Sequence, residues 1–297
     1  MEQIEFKAPN DVMELIDLFQ KHNKTLYIVG GAVRDFVIGK EPKDFDFCTD
    51  AKPDELVEIL DGYKVDIYNL KLGNIKVSLN NNIYAITTLR KEAGNIDGRY
   101  PEKIEFIDDI NTDLLRRDFT INAMAIKYDN GFYLIDPLNG REDCKNRYLK
   151  FIGDAEERIK EDPIRILRAL KFMLRLEFNI STLDLSSMFE YVDLVHTLDN
   201  NYKYKEFIEI LQTKNIDKHL MIYKDFYHIA FPELDNFFSQ INIINDNNVI
   251  WVYFFSLNKD EAINQLSFLD WPKQEKRKLR KALLSFSTYE EYQKSEL

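Results

Sequence analysis

The sequence predicts an α/β domain followed by an all-α region. Strand-like alternation punctuated by turn residues runs from Leu26 to Ile135 and stops beyond Asp136-Pro137. From Asp154 onward nearly all the chain carries helical spacing, broken by polar turns such as Asp199-Asn200-Asn201 and Asn245 to Asn248. No internal repeat or low-complexity linker is present, so the parts are expected to pack directly on one another.

Each element has a local reason. Asn10 can cap a helix whose apolar residues Val12, Leu15, Ile16 and Phe19 recur at helical spacing and which ends near Asn23. Leu26 to Val29 reads as a short buried strand, Gly30-Gly31 breaks it, and Ala32 to Ile38 forms one or two helical turns. Phe45 to Cys48 alternates like a second strand. Val65 to Tyr68, Ile75 to Leu79 and Ile83 to Leu89 follow, the last two joined through Asn80-Asn81-Asn82 as a tight hairpin. Another hairpin, Met124 to Tyr128 with Phe132 to Ile135, turns at Asp129-Asn130-Gly131, a type I′ signal.

Composition narrows the function classes. The chain of 297 residues is 45% hydrophobic, enough for more than one core. No run approaches the roughly 20 apolar residues of a membrane span and the start lacks a secretory pattern, so a cytoplasmic location and no membrane partner are expected. Cys48 and Cys144 have no metal or disulfide spacing, and the four histidines are scattered. No obligate protein partner is evident. A net charge of −11 opposes nonspecific coating of nucleic acid but allows one basic groove, for which Lys273 to Lys281, with Lys276, Arg277 and Arg280, is the candidate RNA contact.

Four clusters carry chemistry. The first is Val29-Gly-Gly-Ala-Val-Arg-Asp35 followed by Asp44-Phe-Asp46. Carboxylates at i and i+2 on a strand share a face and can hold two divalent ions roughly 4 Å apart, the geometry of in-line phosphoryl transfer. Gly30 and Gly31 let backbone amides approach a triphosphate, and Arg34 can offset its charge. The second, Arg116-Arg-Asp-Phe-Thr-Ile-Asn-Ala123, sets Arg116, Arg117, Asp118 and Asn122 on a polar face able to grip ribose and phosphates. The third, Asp136-Pro-Leu-Asn-Gly140 with Asp143, reads as a turn and inter-domain hinge. The fourth is Glu161-Asp-Pro-Ile-Arg165-Ile-Leu-Arg168, where Asp162 and Arg165 lie three apart on one helical face. Asp162 can accept from an exocyclic amino group while Arg165 donates to a ring nitrogen, matching the pairing edges of cytosine and adenine but not of uracil and guanine. Taken alone, the same residues can also form an ion-pair network with Glu161.

With these motifs in this order, the chain resembles the class II tRNA nucleotidyltransferases, the CCA-adding enzymes, and the similar bacterial poly(A) polymerases. GGAVRD with DFD is similar to their motif A, RRDFTINA to motif B, DPLNG to motif C and EDPIRILR to motif D, and Phe231-Pro-Glu-Leu234 to a landmark further on. The resemblance implies a polymerase-β-like head over residues 1–140, a helical neck over 141–200 bearing the base-selecting residues, and a helical RNA-binding body over 201–297 with a short tail. It also implies Asp44 and Asp46 as catalytic ligands of two Mg²⁺, and Gly30, Gly31, Arg34, Arg116, Asp118, Asn122, Asp162, Arg165 and Arg168 around the nucleotide. Arg90 to Pro101, with Asp97 and Arg99, corresponds to the loop that relatives need for terminal adenosine addition. The expected activity is template-independent addition of C and A from CTP and ATP to tRNA 3′ ends. A poly(A) or A-only enzyme shares every motif, and a non-catalytic RNA-binding relative is the reading from another class. Ala85 stands where the family commonly has a glutamate, with Tyr84 or Asp66 as possible substitutes.

Overall fold

The structure, a computed structural model, describes residues 1–93, 103–239 and 249–296. Asp97, Arg99 and the turn expected at Asn245 to Asn248 lie outside the described residues. The described chain forms two compact units, one up to Asp154 and one from Ala155.

The first unit is built in the order β1 (Glu2–Ile4), α1 (Asn10–Lys21), β2 (Leu26–Val29), α2 (Gly31–Val37), β3 (Asp46–Thr49), α3 (Pro53–Ile59), β4 (Lys64–Asn69), β5 (Asn74–Leu79), β6 (Asn82–Thr88), β7 (Arg90–Ala93), β8 (Lys103–Phe106), α4 (Ile110–Leu115), β9 (Ala125–Tyr128), β10 (Phe132–Ile135) and α5 (Gly140–Lys145). Eight strands make one mixed sheet in the order β1-β10-β9-β2-β3-β6-β5-β4, while β7 and β8 pair separately. β2 and β3 are antiparallel, with Val29 opposite Asp46, and β3 and β6 are parallel, with Asp46 opposite Ala85.

All four residues of β2 are buried, as expected of a central strand covered on both faces. Helix α1 starts one residue after Pro9 and buries Val12, Leu15, Ile16 and Phe19; Asn10 lies inside its first turn instead of capping it. The asparagine turn between β5 and β6 has Asn80 and Asn81 both at positive φ, as a type I′ turn demands. The loop between β9 and β10 differs from expectation. Only Asn130 is left-handed there and the Asp129 amide donates to the Gly131 carbonyl (2.8 Å), so it is a three-residue turn and not type I′.

The second unit is helical: α6 (Ala155–Glu161), α7 (Ile164–Leu176), α8 (Thr182–Glu190), α9 (Asn200–Leu211), α10 (Ile216–Ile222), α11 (Lys224–Ala230), α12 (Asp235–Ser239), α13 (Val249–Ser256), α14 (Lys259–Gln265), α15 (Lys273–Ser285) and α16 (Tyr289–Glu296). Its core is aromatic. Phe207 of α9 lies 4.3 Å from the Phe231 ring centre and also meets Tyr227, Phe237, Phe238 and Tyr253. Buried Lys171 ties α7 to α9 through Glu206 and Glu209. Glu233, within the Phe231-Pro-Glu-Leu234 landmark, accepts from Lys203 (2.8 Å) and the Tyr204 hydroxyl (2.5 Å). Lys171 and Glu206 are both largely enclosed, and a charged pair so placed costs several kcal/mol of desolvation, which the mutual attraction must offset, so geometry there is tightly constrained.

Candidate active site

Because Val29 and Asp46 are cross-strand partners, the glycine turn after β2 and the acidic start of β3 lie beside each other. Gly30 has φ +67° and ψ −129°, a conformation that only glycine adopts cheaply. A Cβ there would stand 3.8 Å from the Arg117 guanidinium. Asp44 precedes β3 instead of lying within it, yet the alternation holds: Phe45 and Phe47 are buried, while Asp44 and Asp46 face solvent. The Asp46 carboxyl is pushed above its usual range by the protein packed around it and by the charge of Asp44, against the pull of Arg117. A place that disfavours adjacent negative charges is relieved by a cation, and two solvent-open hard oxygen donors suit Mg²⁺.

Asp113, which no motif in the sequence marks, ties Arg116 and Arg117 into a network behind these carboxylates. Asp113, fully buried on α4, accepts from Arg116 Nη2 (2.8 Å) and Nε (3.0 Å), from Arg117 Nη2 (3.1 Å) and from the Arg90 amide (3.2 Å). Burial alone would raise its carboxyl, but the two guanidiniums outweigh this and hold it below the usual range. Arg117 Nη2 also donates to Cys48 Sγ (3.2 Å), and Nη1 to the Asn122 carbonyl (3.4 Å). Burial pushes the Cys48 thiol up to about 11, so it is an inert acceptor. Arg116 reaches β7 through Glu92 (3.1 Å), which Arg90 also holds (2.7 Å).

Asn122, in the helical turn Thr120–Asn122, accepts from Arg34 Nη1 (2.9 Å) and donates to Asp118 Oδ1 (3.4 Å). Arg34 also pairs with Asp35 (2.8 Å). Gly30, Gly31, Arg34, Arg116, Asp118, Asn122, Asp44 and Asp46 thus belong to one neighbourhood, with Arg117 at its centre. The expected hinge at Asp136 to Gly140 is instead a brace inside this unit. Asp136 accepts from the Gly140 (2.7 Å) and Arg141 (2.9 Å) amides, capping α5, and Asp143 accepts from Thr120 (2.6 Å). Gly140 packs so closely that a Cβ would fall 2.2 Å from the Thr120 carbonyl oxygen.

Neither substitute expected for the missing glutamate takes its place. Tyr84 is buried on the opposite face of β6 and donates its hydroxyl to Asp11. Asp66 lies in the cross-strand row Asp46, Ala85, Lys76, Asp66, three strand spacings or roughly 14 Å from Asp46.

In the second unit, Asp162 sits in the break between α6 and α7 and not on a helix, a consequence of Pro163, which disfavours helical geometry in the residue before it. Its Oδ1 accepts from the Ile164 amide (3.2 Å). Arg165 Nη1 donates to Glu161 (2.9 Å) and to the Arg158 carbonyl (2.5 Å), so the i,i+4 pair with Glu161 does form. Arg168 pairs with Glu206 at 3.7 Å and lies over the Phe172 ring. On α15, Leu279, Ala282 and Leu283 are buried, Arg277 and Arg280 are exposed, and Lys276 is half-buried.

Residues 26–150 match the family model for the poly(A) polymerase head domain. The chain is 34% identical over 247 residues to a CCA-adding enzyme of Staphylococcus aureus strain Newman, an alignment covering 82% of this chain and 60% of that enzyme. The matched part of the chain is thus similar to the class II tRNA nucleotidyltransferases. A solved CCA-adding enzyme in an apo form matches 94% of this chain and 69% of its own with a TM-score of 0.69 and 25% identity. The Bacillus stearothermophilus CCA-adding enzyme, solved in complex with CTP, shares the fold at 22% identity with a TM-score of 0.66, covering 95% of this chain and 85% of that one. The chain spans about 60% of the length of the curated relatives it matches.

Proposed function

We propose that this chain adds nucleotides to tRNA 3′ ends without a nucleic-acid template, taking C and A from CTP and ATP. The observation that carries the reading is the pair of solvent-open carboxylates, Asp44 and Asp46, beside the Gly30-Gly31 turn and backed by the fixed Arg117–Asp113 network. Asp44 and Asp46 would hold Mg²⁺, which when bound supplies charge neutralisation for in-line phosphoryl transfer. The amides of the glycine turn can approach the triphosphate without Cβ obstruction. Arg34, Asn122 and Asp118 form a connected hydrogen-bonding group suited to ribose and phosphate, and Arg116, bound to Glu92, anchors β7 near it. Asp162 and Arg165 would select the base, with Arg168 as a phosphate contact. Residues 141–200 serve in this reading as neck and 201–297 as body, with Lys276, Arg277 and Arg280 contacting RNA.

A poly(A) or A-only activity is the second reading, favoured by the description of the matching head domain. Supplying CTP alone, ATP alone and both to a tRNA lacking its CCA end separates the possibilities. Addition of two cytidines and then one adenosine is expected. Adenosine without prior cytidine supports the second reading, and no transfer with tRNA still bound supports a non-catalytic relative.

A further inference from the structure

In the second unit, half-exposed aromatic side chains converge from two helices and a loop. Trp251 and Phe255 stand one turn apart on α13, whose other residues Val252, Tyr253 and Phe254 are buried in the core. The Trp251 ring stacks on Tyr292 of α16 at 5.0 Å between centres with 4° between planes, and it meets Trp271 (6.3 Å) and Tyr289 (6.2 Å). Phe255 meets Tyr289 at 5.8 Å. Trp251, Phe255, Trp271 and Tyr289 are all half-exposed, whereas Tyr292 beneath them is buried. A core covers its rings; here the rings stand open at one side.

Charge identifies what the patch would meet. Helix α15, which begins two residues after Trp271, carries six cations and a single acid, Glu275, in a chain of net charge −11. Its Lys278 is close enough to Tyr289 to act electrostatically on that hydroxyl. Two acids of α16 are engaged locally: Glu290 pairs with Lys294 (2.8 Å), and Glu291 accepts from the Ser287 amide (2.8 Å). Open rings rimmed by cations are what unpaired nucleotides need, since bases stack on aromatic faces while phosphates take the positive charge.

The geometry points to this patch as a stacking platform for unpaired nucleotides of an RNA. The inference deepens the tRNA reading above, because it names which part of an RNA the basic helix would hold. Trp251 and Trp271 are the two tryptophans of the chain, so intrinsic fluorescence reports on the patch directly. Titrating the full chain with a short single-stranded oligoribonucleotide, or with tRNA, should quench tryptophan emission, while a blunt RNA duplex of equal charge should not. Tyr289→Leu and Phe255→Leu keep apolar volume but remove a stacking ring, and each should weaken oligoribonucleotide binding roughly tenfold with the salt slope unchanged. The Lys276, Arg277 and Arg280 triple alanine variant should instead flatten the slope. Equal quenching by duplex and single strand, or binding without quenching, overturns the platform. If tRNA binds and is extended while emission stays constant, the proposed activity stands and this inference fails; quenching with no nucleotide transfer has the reverse meaning.

Discussion

At the scale of single residues, the two exposed aspartates and the one beside Pro163 make separable demands. Asp44→Asn or Asp46→Asn should reduce nucleotide transfer by at least a thousandfold, since each removes charge stabilisation worth several kcal/mol in the transition state. Both side chains face solvent, so circular dichroism and the thermal midpoint should stay near wild type. Turnover within tenfold of wild type in either variant would remove them from the metal site. Asp162→Ala tests base choice. Arg165 is held by Glu161 and the Arg158 carbonyl and should stay in place when Asp162 is truncated. The ratio of kcat/KM for CTP over UTP on one tRNA primer should fall roughly tenfold to a hundredfold, the cost of about 1 to 3 kcal/mol for an unmet hydrogen bond. An unchanged ratio with only the stability loss of a missing helix cap would leave Asp162 a structural residue. These positions were legible in the sequence because local rules govern them: period-2 alternation exposes Asp44 and Asp46 together, and glycine is readable at Gly30 as a conformational requirement. Asp113 was not legible. Its ion pairs with Arg116 and Arg117 read locally as an ordinary helix end, and only burial against Cys48 and the Arg90 amide, brought in by other strands, turns them into a buried network.

At the scale of elements, the joint between α4 and β3 governs how firmly the site is held. Asp113→Asn removes the buried carboxylate that Arg116 and Arg117 share and should cost about 3 to 5 kcal/mol, measurable as a lower urea midpoint for the first unit by hydrogen exchange at β3 amides. The Asp113 carboxyl lies below its usual 3.8 in the fold, so its contribution is complete above that value and vanishes as pH falls through the lowered one. The Asn variant should therefore lose less of its remaining stability on acidification below 3.8 than wild type does. A β3 exchange profile identical in both proteins would show that the joint is not stressed. Helix α15 carries a different prediction: alanine at Lys276, Arg277 and Arg280 should weaken tRNA binding and lower the salt slope by up to about three, leaving CTP binding unchanged. The sequence located most strands within a residue or two and the start of this helix, whose end lies four residues beyond the basic run. It missed β1, α3, β7 and β8, short segments whose pairing and packing partners lie elsewhere in the chain.

For the whole molecule, the two units answer acid differently. Burial lowers His219 of α10 from its ordinary 6.5 to about 4, while its Nε2 meets the buried Tyr227 hydroxyl at 3.0 Å. Because the unfolded chain takes up that proton more readily, the contribution of neutral His219 is present above 6.5 and is lost as pH falls toward 4. Between pH 7 and pH 5 the second unit should lose about 2 kcal/mol from this group, seen in tryptophan emission as a lower urea midpoint. His219→Gln should abolish most of that difference. If the wild-type midpoint is the same at both pH values, His219 is hydrated or protonated in the fold. Acid near pH 5 should thus loosen the helical unit while the carboxylate network of the first remains ionised.

The register between β3 and β6 also has an evolutionary consequence. Position 85 is held opposite Asp46 by backbone pairing alone, so its side chain can change without rebuilding the strand, the turn or the network behind them. A lineage could exchange a glutamate there for alanine, and exchange it back, each in one amino-acid step. Under the proposed activity, a carboxylate at position 85 would stand beside Asp46, so the rate of transfer would be a heritable setting, adjustable by selection while the strand architecture passes unaltered between generations.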